Sequence, residues 1–251
     1  MTNPIIETML KRKSIRDYTD ETPTDEIIHT VVRAGQQAPF ASQLCSLLLS
    51  RERDSHPFEA PLMFTICVDI HKMEVIMAKR DWQMSTCDLS MLVLGFQDAI
   101  LVAENMVIAA ESLGMGSCFI GNAPYQAKSI IKKFNLPKRV FPIVHLVMGY
   151  PGENPPPRPR YPLNFVLFEG EYPSFSDEVI EDAMRVMDEG YLAQDYYRNI
   201  KYMVPLEDDS EERFTYSDYS WTEHISRKWS QWLTDPENIL DVFRRCGFEL
   251  T

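Results

Sequence analysis

The sequence predicts an α+β fold. Three observations carry this reading. Short apolar runs of strand character are mixed with segments of helical periodicity. One stretch, Asp88 to Leu113, repeats apolar residues in steps of three and four. The chain has 251 residues, 45% of them hydrophobic, enough to bury a sizeable core. The strand order does not follow from the sequence.

Taken in order, Ile5, Ile6, Met9 and Leu10 recur at helical spacing from Pro4 to Lys11, and a basic stretch follows. A second helix starts after Pro23, with Thr24 as N-cap and Asp25 and Glu26 in the first turn, where carboxylates suit the helix dipole. It ends near Ala34 in the loop Gly35 to Gln43. Leu47 to Ser50 and Met63 to Ile70 read as strands, the second bounded by Pro61 and His71.

The helix from Asp88 is apolar on most sides and ends at Gly114, a residue suited to the C′ position. It is expected to be the pillar of the core. Ser117 to Ile120 reads as a strand ending in Gly121-Asn122, and Pro124 opens a helix reaching Phe134. Ile143 to Tyr150 is a further buried strand, followed by the proline-rich segment Pro151 to Pro162. Beyond Phe168 the composition turns acidic, aromatic and loosely patterned. Two helices are discernible there, Trp221 to Leu233 and one from Pro236 to Gly247 behind a Thr234/Asp235 cap. The sequence therefore divides into a domain of residues 1–168 and an extension of residues 169–251 without a core of its own. Such an extension must bury its surface against something.

The formal net charge of −12 argues against duplex nucleic acid or an anionic membrane as partner, since both depend on Lys and Arg meeting phosphate. Cys45, Cys67, Cys87, Cys118 and Cys246 are widely spread and show no zinc or redox spacing, which predicts buried free thiols in a reducing compartment. The N-terminus lacks signal-peptide character, and no apolar run approaches the ~20 residues of a membrane span. A cytoplasmic protein is expected. His29, His56, His71, His145 and His224 form no ligand set, so no metal is expected. His145, inside an apolar strand, reads as a satisfied core histidine. Met73, Met77, Met84 and Met91 read as adaptable packing.

Three segments carry chemistry. Arg12-Lys13-Ser14-Ile15-Arg16 offers guanidinium groups, which bind phosphate bidentately, and a neutral hydroxyl donor. Pro157 to Pro162 presents Arg158 and Arg160 two residues apart on a stiff backbone. Gly114 to Asn122 lacks the order of a dinucleotide fingerprint, but a strand ending in Gly-Asn lets backbone amides approach a planar ligand. Taken singly, each is equally a solvated basic turn, a proline-rich linker or a strand-to-helix turn.

In conjunction, the sequence resembles the nitroreductase family of flavoproteins, and within it the larger oxygen-insensitive, NADPH-linked members. The likeness runs from Ile5 to about Leu163. It includes Lys13-Ser14-Ile15-Arg16, Asp98-Ala99, Ala103-Glu104-Asn105, Ala109 to Gly116, Leu136-Pro137 and Gly149-Tyr150-Pro151, with an echo at Trp221 to Ile225. The resemblance implies a sandwich with a central, mostly antiparallel sheet flanked by helices, a long central helix and an intertwined homodimer. It implies FMN as cofactor, NADH or NADPH as reductant, and small electron-poor aromatics, quinones or flavins as acceptors. These would be reduced in ping-pong fashion through flavin N5, without a catalytic side chain.

By the same resemblance, Arg12, Lys13, Ser14, Arg16, Arg158 and Arg160 would hold the flavin phosphate. Ala38, Pro39, Phe40 and Gln43 would line one ring edge, and Phe119, Ile120, Gly121 and Asn122 would lie along the ring. Three departures stand out. Asn122 replaces the usual Gly, the segment between Ser46 and Met63 is short, and acidic Glu207 to Glu212 replaces a basic loop that meets the NADPH 2′-phosphate. A flavin-binding protein without turnover, or a specialised flavin reaction such as reductive dehalogenation or flavin breakdown, is the alternative.

Overall fold

The computed structural model describes residues 3–207, 211–231 and 236–250. Contacts divide the chain into two units, residues 1–155 with 235–251, and residues 156–234. The boundary expected at residue 168 thus falls inside the second unit, and the last helix belongs to the first.

In the first unit, β1 (Cys45–Ser50), β2 (Leu62–Asp69), β3 (Gly116–Ile120) and β4 (Val140–Gly149) form an antiparallel sheet in the order β1-β2-β4-β3. β2 and β4 are central and buried almost throughout, so their sequences are continuous apolar runs rather than alternating ones. The register shifts between Ile66 and Cys67, where Cys67 faces Pro142. Proline has no N–H for the ladder, so an irregularity there is the expected accommodation. His145 lies opposite Thr65. Its Nδ1 is 2.8 Å from Thr65 Oγ1 and its Nε2 3.2 Å from Gln126 Oε1. Burial pushes its pKa down, so it is the satisfied, neutral core histidine the sequence suggested.

Helix α1 spans Pro4–Lys11, α2 Asp25–Gln36, α3 His71–Ala78, α4 Asp88–Ser112 and α5 Ala127–Phe134. α4 is the core helix. Leu92, Ala99, Ala103, Met106, Val107 and Ala110 are buried along it, and Gly95 lets it approach the sheet so closely that a Cβ there would lie 2.4 Å from Val68 Cγ1. By length and composition α4 is apolar enough to cross a membrane, which corrects the expectation that nothing in the chain is. Asp98 and Glu104 interrupt the apolar run, so no uninterrupted stretch reaches that length although the whole helix does. α3 was not anticipated. It follows β2 directly, and its N-cap, Ile70, offers no side-chain hydrogen bond, so the sequence carries no start signal.

The last helix, α9 (Pro236–Arg245), returns to the sheet, where Phe243 stacks on Phe141 at 4.3 Å between centroids. Arg139 fixes this end of the unit. Its guanidinium pairs with Asp88 at 2.6 Å and Glu74 at 2.8 Å, donates to Gly247 O at 3.2 Å, and lies over Phe248. All five cysteines are free, and Cys67, Cys118 and Cys246 are buried as expected. Cys87 instead is exposed, because it sits at the N-cap of α4.

In the second unit, α6 (Asp177–Leu192), α7 (Tyr196–Ile200) and α8 (Trp221–Gln231) were read only in part from the sequence. α6 buries just Ala183 and Met187, so its amphipathic signal is thin, although Ser176 with Asp177 and Glu178 is a legible helix start. The end expected for α8 at Leu233 and the Thr234/Asp235 cap lie outside the described residues. An aromatic cluster gives the unit internal packing: Tyr197 stands 5.2 Å from Tyr219 and 4.8 Å from His224 between ring centroids. Arg227, 6% exposed, pairs with Glu212 at 2.6 Å and Glu223 at 2.7 Å beneath Tyr219.

Candidate functional site

The basic segment is built from α1 outward. Asn3 caps the helix by accepting from Ile5 N at 2.9 Å, and α1 stops at Lys11. The chain then turns extended and is stitched to the sheet. Ile15 N donates to Ser117 O at 2.9 Å, Ser14 bridges Ser117, and Thr19 N donates to Tyr150 O at 2.9 Å. Ile15 is buried against Gly116, where a Cβ would stand 2.3 Å from Ile15 Cγ1. In an extended chain neighbours face opposite ways, so burying Ile15 turns Ser14 and Arg16 the other way.

Among the described residues, neither the Arg12 nor the Arg16 side chain has an ion-pair or hydrogen-bond partner. Lys13 Nζ donates to Asn154, and Arg16 N donates to the Glu153 carboxylate. Beneath them lies Glu111, near the end of α4, whose Oε1 is buried with no partner. Burial pushes this carboxyl's pKa up, against the pull of Arg12 and Lys13. Two guanidinium groups with no partner among the described residues and a serine hydroxyl thus share one short segment, in a chain of net charge −12.

Ser117 lies at the start of β3, which carries Phe119 and ends at Ile120, and Gly121 and Asn122 form the turn after it. Phe119 is 38% exposed and Gly121 faces open space, since a Cβ there would meet nothing within 4 Å. From Ser117 to Gly121 the chain advances about 13 Å at strand rise. The first and third sequence segments are therefore brought together, with the basic segment beside the start of β3 and the exposed Phe119 and Gly121 toward and beyond its end.

The loop that includes Ala38, Pro39, Phe40 and Gln43 lies elsewhere. It leads into β1, the opposite edge of the sheet from β3, three strand spacings or about 14 Å away. Phe40 is 53% exposed, Ala38 is buried, and Gln43 takes a left-handed conformation with φ 55°. Beside the loop is a cavity of about 270 Å3, lined by Val32, Gln36, Phe40, Gln43, Lys72 and Val102, among others. Arg158 and Arg160 belong to the second unit. Arg158 donates to Gln194 Oε1 at 2.6 Å and lies 4.1 Å over the Tyr196 ring. Arg160 turns back to donate to the carbonyls of Arg158 and Pro159, both at 2.9 Å.

Sequence reasoning gave no role to Glu111 or Asp98. Asp98 is 1% exposed. Its carboxylate accepts from Ala41 N at 2.6 Å and from Ser42 N and Leu44 N, both at 3.0 Å. The signal was available, because a lone aspartate on the buried side of an apolar helix must be satisfied by something. Among the described residues, no group of three or more His, Cys, Asp or Glu side chains could hold a metal ion.

Comparison with known proteins places this geometry in context. Residues 48–150 match the model of the nitroreductase family. The chain is 30% identical over 212 residues to the FMN reductase (NADPH) of Bacillus subtilis, covering 78% of this chain and 84% of that protein. It is 29% identical over 206 residues to the oxygen-insensitive NADPH nitroreductase of Salmonella typhimurium, covering 76% and 84%. The solved structure of B. megaterium NfrA2 superposes with a TM-score of 0.83 at 24% identity, covering all of both chains. The four-stranded antiparallel sheet and the long central helix agree with that fold, and the chain belongs to the nitroreductase family.

Proposed function

We propose that this protein is an FMN-dependent NAD(P)H oxidoreductase that reduces nitroaromatics, quinones or flavins and works as a homodimer. The observation that carries the reading is the anion site of Arg12, Ser14 and Arg16 stitched to the start of β3, with an open face at the strand's end. The residues present fit FMN. The guanidinium groups without a partner among the described residues are open to a phosphate, and the space over Gly121 admits a ring. The relatives named as FMN reductase and NADPH nitroreductase support the same cofactor and reductant.

When bound, FMN supplies two-electron transfer through N5, alternating between a nicotinamide and an acceptor in one slot. The chain's own part is to bind and orient. Arg12, Arg16 and the Ser14 hydroxyl take the phosphate, while Lys13 is steadied by Asn154. Phe119 and Ile120 would lie along the ring, and a backbone N–H of Gly121 or Asn122 could donate to its N5 edge, where a fixed donor would orient the oxidised ring and polarise N5 toward hydride. Arg158 and Arg160 enter the proposal through the family resemblance alone.

The separation of the two halves supports the homodimer. Pro39, Phe40 and Gln43 border β1 and the phosphate residues border β3, at opposite sheet edges, so the loop that closes a flavin comes from a second copy. Ile5, Met9 and Leu10 on α1, with Leu89, Val93 and Ile100 on α4, are 49–74% exposed. Such apolar faces mark a surface that a partner covers. In this reading the second unit wraps that partner, and the protein works in the cytoplasm.

The test is an absorbance spectrum of the purified protein before and after anaerobic addition of NADH or NADPH. A yellow protein that either nicotinamide bleaches, and that a nitroaromatic or quinone restores, is expected. A colourless protein that takes up no FMN overturns the reading. A yellow protein that neither nicotinamide bleaches points to flavin binding without turnover, with Asn122 the first residue to change.

A further inference from the structure

We propose that Asp98 is the positioning residue for the loop Pro39–Gln43, setting its flavin-facing shape through three backbone N–H groups rather than by touching the ligand. The inference rests on the flavin reading above and deepens it.

A carboxylate buried in the middle of the core helix is costly unless its oxygens are satisfied. Among the described residues no cation pairs with Asp98; its partners are Ala41 N, Ser42 N and Leu44 N. All three amides lie between α2 and β1; Leu44 O accepts from Asp69 N at 3.0 Å, and among the described residues no backbone ladder bond is recorded for Ala41 or Ser42. Gln43 within this stretch is left-handed, a conformation that a non-glycine residue adopts at a cost and keeps only where its surroundings fix it. The other end of the segment is tied to the same helix. Asn105 Nδ2 donates to Ala34 O at 3.2 Å, and a Cβ on Gly35 would lie 2.6 Å from Met106 Cγ. α4 therefore holds the segment at both ends, and Asp98 holds the part that carries exposed Phe40.

The chemistry demands an aspartate. Two anionic oxygens can accept three N–H groups. Asparagine has one oxygen, and its amide group would point N–H against N–H. A loop held before the ligand arrives spends no binding free energy on being ordered, so the effect of loosening it appears in flavin affinity and in the flavin's surroundings.

The experiment compares Asp98→Asn with Phe243→Leu, a core change on α9 whose ring contacts run to Phe141 and Phe248 rather than to the loop. The full-length wild type and both variants are titrated with FMN and examined by visible circular dichroism and flavin midpoint potential. Asp98→Asn is expected to weaken FMN binding by roughly tenfold or more and to shift both the dichroism and the potential, while Phe243→Leu leaves all three at wild-type values. Unchanged values in Asp98→Asn overturn the inference alone, as do equal shifts in both variants. A wild type that binds no FMN overturns the flavin reading and the inference with it. Hydrogen exchange on the wild type covers the case in which Asp98→Asn does not fold. Protection of the Ala41, Ser42 and Leu44 amides in the unliganded protein supports the inference, and their exchange at the rate of an open loop overturns it.

Discussion

Replacing Gly116 by alanine tests whether Ile15 anchors the basic segment to the sheet. The new Cβ would stand 2.3 Å from Ile15 Cγ1 and 2.9 Å from Ile15 Cβ, where carbon atoms normally settle near ~3.5–4.0 Å. Relief needs a shift of more than about 1 Å. Gly116 pairs with Gly149 inside the sheet and cannot retreat far, so Ile15 must move, and with it the hydrogen bond from Ile15 N to Ser117 O. Overpacking of this kind costs about 1–3 kcal/mol, which lowers the melting temperature by roughly 2–4 °C for each kcal/mol in a chain of this size. Because Ser14 and Arg16 ride on either side of Ile15, FMN affinity should fall together with stability. Thermal unfolding and FMN titration read the two effects. A Gly116→Ala protein with wild-type melting temperature and FMN affinity would refute the idea that this contact places the phosphate residues.

Arg12→Ala and Arg16→Ala should each weaken FMN binding by about tenfold, the loss of a charge-assisted contact, and should flatten its dependence on salt; riboflavin, which lacks the phosphate, should bind all variants alike. In the second unit, hydrogen bonds from Arg227, then from Phe214 N, hold the Glu212 carboxyl at about 2. Its folded pKa lies below the ordinary value of 4.5, so its stabilisation is full above that value and is lost as the pH falls toward 2. The near-ultraviolet dichroism of the tyrosine cluster should therefore hold at pH 5–7 and decay in the acid range. Glu212→Gln should weaken it already at neutral pH, and a Glu212→Gln signal indistinguishable from wild type would contradict this. The acidic run Glu207 to Glu212 stands where relatives are expected to carry a basic loop, and like charges repel a 2′-phosphate. The kcat/KM for NADH should match or exceed that for NADPH, and a tenfold preference for NADPH would contradict the electrostatic argument.

Elements whose signal is local were legible in the sequence. α2 has a capping threonine and acidic first turn, α4 a sustained apolar repeat, and β2 and β4 unbroken apolar runs, and each appears within a few residues of expectation. α3 was not legible because nothing caps it, and α6 showed only its start, because it buries only two residues along sixteen. At the site, the Arg12 to Arg16 cluster and the Gly121 strand end were visible as residue types. Their meeting was expected through the family resemblance alone, because it depends on Ile15 finding Gly116 across a hundred residues of chain. The separation of the Phe40 loop from that cluster depends on strand order, which the sequence does not encode locally. Glu111 and Asp98 were read as parts of a helix and a motif, since their roles arise only when α4 packs beneath the segments they serve.

The account stands or falls on where FMN lies, and a crystal structure of the protein with FMN shows it directly. The account predicts the phosphate within hydrogen-bond reach of Arg12, Ser14 and Arg16, the ring along Phe119 to Asn122, and the Pro39 to Gln43 loop of a second copy at the ring's edge. A flavin bound away from Ser14 and Gly121, or one enclosed by the loop of its own chain, would contradict it.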